Sequence, residues 1–158
     1  MADDTEIVGL DKLIAKLKAL PPIFAAAAER ALGEGADEIV ATMRNFCPVD
    51  KGDLRDSIGW TFGAAPKGAL VIRSGSVSIG KNRKITLTIF AGNEAAYYVR
   101  WVEFGTKPHV QGGKFKGTTS PGTAAHPFFF PAWRLKKKKV KSKVSREMNK
   151  AAKALAGK

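Results

Sequence analysis

PVDKGDLRDSI, residues Pro48 to Ile58, divides the chain into a helical part and a part with the pattern of a sheet. Pro48 ends any helix before it, because the residue that precedes a proline is pushed out of the α region. Gly52 permits a positive φ, and Asp50 or Asp53 can accept backbone N–H bonds at the start of a short helical turn. Beyond this corner the apolar residues recur with the period of a strand. The sequence therefore predicts an α+β fold.

Upstream of the corner, apolar residues recur at helical spacing. A leucine-rich stripe predicts a first amphipathic helix that ends at Pro21. Pro22 can occupy the first turn of a second helix, where its missing N–H costs nothing, and this helix runs to about Phe46. Gly33 and Gly35 each weaken the second helix by about 1 kcal/mol relative to alanine, which favours a bend there.

Downstream of the corner, alternating apolar and polar residues predict a small antiparallel sheet of three or four strands. The strands begin at Ile58 and continue at 69–74 and 84–91, and their short connections favour a meander. The run from Tyr97 to Phe104 then has helical spacing. It predicts a short aromatic helix that ends at Gly105, with this glycine as its left-handed cap.

The last third of the chain combines a glycine- and proline-rich segment with a basic helix. Residues 106–127 have little apolar periodicity, and a structureless loop this long usually belongs to a binding arm or a mobile segment. We interpret it as an extended assembly arm. Pro131 opens the final helix, predicted at 131–157. The whole of 1–158 is predicted to form one domain.

The net charge of +13 is spread unevenly over the chain. Residues 1–58 carry a charge of −4, residues 59–133 carry +7, and residues 134–158 carry +10. Such an excess indicates a nucleic-acid partner, an acidic protein partner, or a solvated face that only keeps the protein soluble. The candidates for contact with phosphate, by counterion release and without reading of bases, are Lys136, Lys137, Lys138, Lys139, Lys141 and Lys143.

The sequence has few residues that could carry out catalysis. His109 and His126 lack the spacing of a zinc site, and we expect His126 to orient its loop through a backbone hydrogen bond. Cys47 has no recognisable base partner, so we expect a small buried residue at a helix end. For Glu103 we expect an ion pair or a hydrogen bond to a nearby turn, for example to Thr106 or to an arginine such as Arg55 or Arg100. No cofactor and no enzymatic activity are predicted.

No run of about 18 apolar residues is present to span a bilayer, and the acidic amino terminus is unlike a secretory signal. We therefore expect a soluble protein that is made in the cytoplasm and has no membrane partner.

Three blocks of sequence, PVDKGDLRDSI, YYVRWVEFGTKPH and HPFFFPAW, occur in an order and at a spacing that resemble the head–tail joining, or tail-completion, family of tailed bacteriophages. The first two blocks carry the resemblance through Pro48, Val49, Asp50, Gly52, Leu54, Ser57, Ile58, Tyr98, Glu103, Phe104, Gly105 and Thr106. The third carries it through His126, Pro127, Pro131 and Ala132.

The resemblance implies a non-enzymatic subunit of the virion neck, assembled in the host bacterial cytoplasm. Such subunits form a ring, here a hexamer or a dodecamer, between head-completion or connector proteins and tail-terminator or tail-tube proteins, and DNA passes through it. The 106–127 arm could reach the next subunit, and Phe128, Phe129 and Phe130 would be exposed at the centre of that contact. The alternatives are a free-standing basic protein that binds nucleic acid without sequence specificity, and a small hydrolase with an unrecognised site.

Overall fold

Two long helices pack along each other, and the first of them also contacts a small antiparallel sheet. The computed structural model describes residues 10–79 and 83–156. In chain order the elements are α1 (Leu10–Phe46), α2 (Asp53–Asp56), β1 (Gly59–Phe62), β2 (Leu70–Ile79), β3 (Arg83–Ala91), α3 (Val99–Phe104), β4 (His109–Val110), β5 (Thr119–Ser120) and α4 (Phe129–Ala156). A 3-10 turn, Gly113–Phe115, lies between β4 and β5. The predicted α+β fold class is confirmed.

The helix α1 is continuous, so the prediction of two N-terminal helices separated at Pro21 and Pro22 is wrong. A proline inside a helix removes a backbone hydrogen bond and crowds the preceding turn. Most helix stability in proteins comes from tertiary packing, and α1 is packed extensively against α4. The predicted end at Phe46 is confirmed, and Cys47 lies buried directly after it.

Gly33 and Gly35 allow α1 to pack closely on its neighbours. A Cβ atom on Gly35 would collide with the side chain of Val140 in α4, and one on Gly33 would lie 3.3 Å from the Trp60 ring in β1. Residues two positions apart lie on nearly opposite sides of a helix, so these glycines serve two different contacts. Trp60 also donates from its indole Nε1 to Asp37 Oδ1 at 2.8 Å, which joins β1 to α1.

The three-stranded sheet has the order β1-β3-β2, so the predicted meander is wrong. The central strand β3 pairs antiparallel with both neighbours, and Ile89 lies opposite Trp60 on one side and Ile72 on the other. The central position suits β3 because Ile85, Leu87 and Ile89 are all buried against the core. The predicted alternation of this strand is confirmed.

Residues 106–123, which we call the hairpin, form a hydrogen-bonded structure where a structureless loop was expected. Strands β4 and β5 pair antiparallel, and an isolated bridge joins Thr106 to Thr123 at the base. Within residues 10–79 and 83–156, the hairpin makes no extensive contact with another helix or strand. Its backbone groups are paired locally, as any ordered segment requires. Its role as an assembly arm stays a prediction.

Candidate assembly site

Glu103 is a buried carboxylate that joins α3 to the first turn of α4. Its Oε2 accepts hydrogen bonds from the N–H groups of Phe128 and Phe129 at 2.8 and 2.9 Å, and its Oε1 accepts one from Phe130 at 3.0 Å. The first N–H groups of a helix have no partner inside that helix. One side chain from another element therefore satisfies three backbone donors at the start of α4.

The charge of Glu103 also suits its place at the start of α4. The N-terminus of a helix carries a partial positive charge, which a carboxylate stabilises. The first turn of α4 has no acidic residue of its own. Hydrogen bonds to an ionised acceptor are shorter and stronger than neutral ones. Glu103 thus both caps α4 and fixes its position relative to α3.

The predicted partners of Glu103 were wrong, because its oxygens bind the backbone of α4 instead of Thr106, Arg55 or Arg100. The error follows from the predicted helix start at Pro131, since α4 begins two residues earlier. One signal could have shown the correct partner. The block HPFFFPAW has no Ser, Thr, Asp or Asn before its helix, so the cap had to come from elsewhere.

Phe128 and Phe129 are fully buried, so the prediction of exposed contact aromatics is wrong for both. A helix start can be buried only when its N–H groups have partners, and Glu103 supplies them. Phe130 is partly buried, and its ring centroid lies 5.8 Å from that of Phe104. The block HPFFFPAW therefore anchors α4 in the core, with Pro127 exposed just ahead of the helix and Pro131 half-buried in its first turn.

Ser57 holds the Pro48–Ile58 corner against the sheet. Its Oγ donates to the carbonyl of Leu54 at 2.6 Å and accepts the N–H of Gly92, just after β3, at 3.0 Å. Leu54, Ser57 and Ile58 are all buried. The hydroxyl therefore ties the short helix α2 to the end of the central strand.

The start of α2 is organised by backbone conformation rather than by an acidic cap. Gly52 has a φ of +97°, which confirms the predicted positive value. The predicted capping by Asp50 or Asp53 is wrong, because the N-cap position is occupied by Gly52 and this described helix start has no side-chain cap hydrogen bond. Asp50, Asp53 and Asp56 are all exposed. Three carboxylates are therefore presented at the surface of the corner.

A shallow groove of about 280 Å³, which we call the corner groove, lies between the corner and α3. Its lining includes Pro48, Val49, Asp50, Leu54, Tyr98 and Val102. Burial, followed by the nearby charges of Asp53 and Asp50, raises the pKa of the Tyr98 phenol. The first two sequence blocks thus meet at one surface feature, and the second and third meet through Glu103.

Both ends of the hairpin are tied to α3. Gly105 has φ +68° and ψ −179°, so the positive φ is as predicted but the left-handed cap is wrong. A Cβ atom there would approach the carbonyl oxygen of Thr123 within 2.5 Å, which only glycine avoids. Thr106 donates its N–H to the same oxygen at 2.9 Å. The N–H of His126 donates to Val102 O at 2.8 Å, which confirms the predicted backbone bond.

Two groups of large apolar side chains remain exposed beside these anchors. Trp101 and Phe104 lie three positions apart on α3, and Tyr97, in the turn just before this helix, has its ring centroid 5.6 Å from that of Trp101; each of the three is more than half exposed. Val110 and Phe115 on the hairpin are 69% and 66% exposed. Exposed apolar clusters of this kind mark surfaces that contact another protein.

The lysines predicted for phosphate contact fall into two groups. Lys139 Nζ lies 2.9 Å from a carboxylate oxygen of Glu38, and Lys143 Nζ lies 2.9 Å from Glu34 and 3.4 Å from Glu38. The hydrogen bond from Lys139 is the main cause that lowers the pKa of the Glu38 carboxyl. The hydrogen bond to Glu34 is the main cause that raises the pKa of Lys143. These two lysines join α4 to α1.

The second group consists of Lys136, Lys137, Lys138 and Lys141. Lys136 is half-buried and the other three are exposed. Within the ranges 10–79 and 83–156 none of the four has a carboxylate within ion-pair distance. These ammonium groups are available to an acidic partner, and their contact with phosphate stays a prediction.

The chemistry concentrated at the site is hydrogen bonding and apolar packing. Burial raises the pKa of the Cys47 thiol to about 11, so the nucleophilic thiolate is scarce at neutral pH. His109 and His126 are both exposed. In the described part of the chain, no three His, Cys, Asp or Glu side chains are grouped so that they could hold a metal ion. Among those same residues, no helix combines the length and the apolar character needed to cross a bilayer.

The sequence was compared with models of known protein families. Residues 11–105 match the family described as "Bacteriophage HK97-gp10, putative tail-component". The match covers more than half of the chain. The chain belongs to the HK97-gp10-like family. Comparisons with curated proteins and with solved structures give no significant match.

The part matched to the HK97-gp10-like family includes the corner, the sheet and α3, and it ends at Gly105, where the hairpin begins. The block HPFFFPAW lies beyond it. Membership in this family of tail components indicates a structural protein of the virion that contacts other virion proteins. The predicted resemblance to a family of tailed-phage structural proteins is confirmed.

Proposed function

We propose that this chain is a structural subunit of the virion neck, which forms a ring that joins the head connector to the tail and lets DNA pass. The observation that carries the proposal is the match to a phage tail-component family over the residues that build the corner, the sheet and α3. The subunit acts by shape and makes or breaks no covalent bond. It assembles in the host bacterial cytoplasm and stays in the finished particle.

The surface of the chain supports a role in assembly. Trp101 and Phe104 on α3 are exposed, and so are residues 112–117, which we call the hairpin tip, while Phe128 and Phe129 are buried in the core. A ring repeats one contact between two different surfaces of the same chain, and the molecule presents such surfaces on separate elements. We propose a hexamer or a dodecamer. It lies between head-completion or connector proteins and tail-terminator or tail-tube proteins.

A second candidate function is binding of nucleic acid without sequence specificity. It is favoured by Lys136, Lys137, Lys138 and Lys141, which lie without ion-pair partners among the described residues of α4. This function predicts that the isolated monomer binds duplex DNA with an affinity that falls steeply as salt is raised. In the ring that we propose, the same lysines make only a weak, non-specific contact with the passing DNA.

The decisive experiment compares particles made with and without the gene for this chain. Loss of a neck subunit should give DNA-filled heads and separate tails, and supplying the wild-type chain should restore joined particles. Electron microscopy of the restored particles should then show a ring coaxial with the tail. Joined particles in the absence of the chain, or density outside any ring, would overturn the proposal.

A variant in which Lys136, Lys137, Lys138 and Lys141 are all changed to Gln distinguishes the two candidate functions. Ring assembly should survive this change, whereas binding of duplex DNA by the isolated chain should be lost. A variant with Lys139→Gln and Lys143→Gln is the control, because those two lysines form ion pairs with Glu34 and Glu38. If wild-type monomer binds duplex tightly and never associates in light scattering, the nucleic-acid function is the correct one.

A further inference from the structure

The hairpin tip and the corner groove are two exposed surfaces that nothing in the described chain covers. We propose that the hairpin tip of one copy docks in the corner groove of the next copy, with Phe115 as the anchor. This inference rests on the proposed ring and identifies the contact that would build it. The two surfaces differ, so the contact is head-to-tail, the kind that can close into a ring.

The hairpin tip is organised to present Phe115. The N–H of Gln111 donates to the carbonyl of Thr118 at 2.8 Å, and the Thr118 hydroxyl donates to the carbonyl of Phe115 at 2.7 Å. The N–H of Lys116 closes the turn on Gly113 O at 3.2 Å. A tip ordered in advance loses little conformational freedom on docking. Phe115 nevertheless stays 66% exposed, which leaves its ring available to a partner.

The corner groove has the size and lining that suit one aromatic side chain. Its volume of about 280 Å³ exceeds the roughly 150 Å³ of an apolar cavity that holds one benzene molecule, so an aromatic ring fits in it. Leu54, Tyr98 and Val102 contribute apolar surface to it, and Val49 at the groove is 59% exposed. A buried aromatic anchor surrounded by less important contacts is the usual centre of a protein interface.

Charge favours the hairpin as the occupant of the groove. The segment 106–127 contains no acidic residue, and Lys107, Lys114 and Lys116 are all exposed. The corner exposes three carboxylates, those of Asp50, Asp53 and Asp56, and Asp50 lines the groove. Opposite charges at the edges of a contact guide its orientation and speed association.

Lys51 and Arg55 also line the groove. The lining itself therefore holds more cations than carboxylates, and the attraction comes from the three exposed carboxylates of the corner as a whole. A partner with lysines on both sides of an apolar tip fits this arrangement better than a purely basic peptide would. The hairpin has that form, because Lys114 and Lys116 flank Phe115.

The hairpin is unsuited to the groove of its own chain. Its two ends are held at the end of α3 by Gly105, Thr123 and the bond from His126 to Val102. In the described residues its strands contact each other and make no extensive contact with α2 or the sheet. A second copy is therefore the occupant that leaves both surfaces covered.

Disulfide trapping tests the contact in the full-length chain. The double variant Lys116→Cys and Val49→Cys keeps the Phe115 anchor and places one thiol beside it on the tip and one at the groove, and a disulfide forms only if the two Cα atoms come within about 7 Å. We expect mild oxidation to give a ladder of covalent oligomers on a non-reducing gel, which reduction returns to monomer. The native Cys47 is buried, so the wild-type chain should give no ladder.

The matched control is Lys116→Cys with Leu135→Cys, because Leu135 is 62% exposed but lies on α4 and does not line the groove. Equal ladders in the two double variants, or none in the groove variant, would overturn the inference. Light scattering of the wild-type chain separates the two proposals. If the wild-type chain forms rings but the groove variant gives no ladder, only the proposed docking contact is wrong. If the wild-type chain stays monomeric at every concentration and no ladder forms, the proposed ring is wrong as well.

A second measurement uses variants that damage one side of the contact. Phe115→Ala removes the anchor, and Val49→Lys places a charge in the apolar lining that also repels the lysines of the tip, so each should weaken self-association at least about tenfold. When the two variants are mixed, the intact tip of one can dock in the intact groove of the other. No further intact pair remains, so assembly should end at the dimer. Dimers in either variant alone, or rings in the mixture, would contradict a head-to-tail contact.

Discussion

The start of α4 and the hairpin are two neighbouring regions that satisfy their backbone in different ways. At the start of α4, Glu103 meets three N–H groups, and Phe128 and Phe129 are completely buried. In the hairpin the backbone bonds are local, and Phe115 is left in solvent. The first region holds the subunit together, and the second is free to contact another molecule. Changes at the first should therefore affect stability, and changes at the second should affect assembly.

The largest effect is expected from Glu103→Ala. Removal of the carboxylate leaves three donors unpaired at a buried helix start, and unpaired buried donors cost about 1–3 kcal/mol each before local relaxation. We expect the free energy of unfolding to fall by about 3 kcal/mol. Urea denaturation followed by circular dichroism measures it.

Two variants control this prediction. Glu103→Gln keeps an oxygen acceptor and should lie between the wild type and Glu103→Ala. Glu94→Ala removes an exposed carboxylate and should change the unfolding free energy by less than about 0.5 kcal/mol. If Glu103→Ala were no worse than Glu94→Ala, the capping role of Glu103 would be wrong.

A pair of glycine substitutions tests the same contrast at smaller scale. In Gly35→Ala the new methyl group collides with Val140, and overpacking of about 1–3 kcal/mol exceeds the gain in helix propensity of about 1 kcal/mol. We expect a net loss of about 1 kcal/mol in the free energy of unfolding.

Gly112→Ala in the hairpin meets nothing within 4 Å and has a φ of −102°. We expect it to be neutral or slightly stabilising, because alanine restricts the unfolded chain. Thermal melts of both variants check the pair. Equal melting temperatures would mean that α1 and α4 pack less tightly than the structure shows.

The decrease in the free energy of unfolding at acidic pH should depend in part on Glu38. Its pKa lies below the reference value of 4.5, so the contribution of its ion pairs is complete above pH 4.5 and is lost as the pH falls through the folded value. Glu38→Gln should flatten that loss, and Glu94→Gln should not. Denaturation measured at a series of acidic pH values tests this. If the Glu38→Gln variant lost stability more steeply than the wild type as the pH falls, the prediction would be wrong.

Little effect on stability is expected when the hairpin tip, residues 112–117, is removed. The hairpin has no extensive contact with the rest of the described chain, so the unfolding free energy should stay within about 1 kcal/mol of the wild type. Self-association in light scattering should disappear in the same variant. A truncated chain that still forms rings would show that the contact surface lies elsewhere.

The features that sequence predicted correctly are those set by neighbouring residues. Pro48 and Gly52 determine the corner through their own backbone preferences, and the alternation of β3 shows directly which side chains are buried. The end of α1 at Phe46 follows from the same proline. For these features a short window contains the whole physical cause.

The features that sequence predicted wrongly depend on contacts between distant parts of the chain. The burial of Phe128 and Phe129 depends on Glu103, which is 25 residues away from the nearer of the two. In the sheet, the strand with three side chains buried in the core, β3, is central, although the length of the connections favoured the order of the chain. The continuous α1 likewise depends on packing that outweighs its two prolines. None of these causes is visible in a window around the affected residues.

The pairing of Thr106 with Thr123 closes the hairpin at its base, independently of what lies between them. The length of the loop beyond that base is therefore decoupled from the core, since longer surface loops add little closure entropy. A foreign peptide inserted between Gly112 and Gly113 should be carried on the outside of the folded subunit, much as an epitope is displayed on a scaffold. Such an insertion would turn this chain into a marker whose copies could be counted and located in an intact particle.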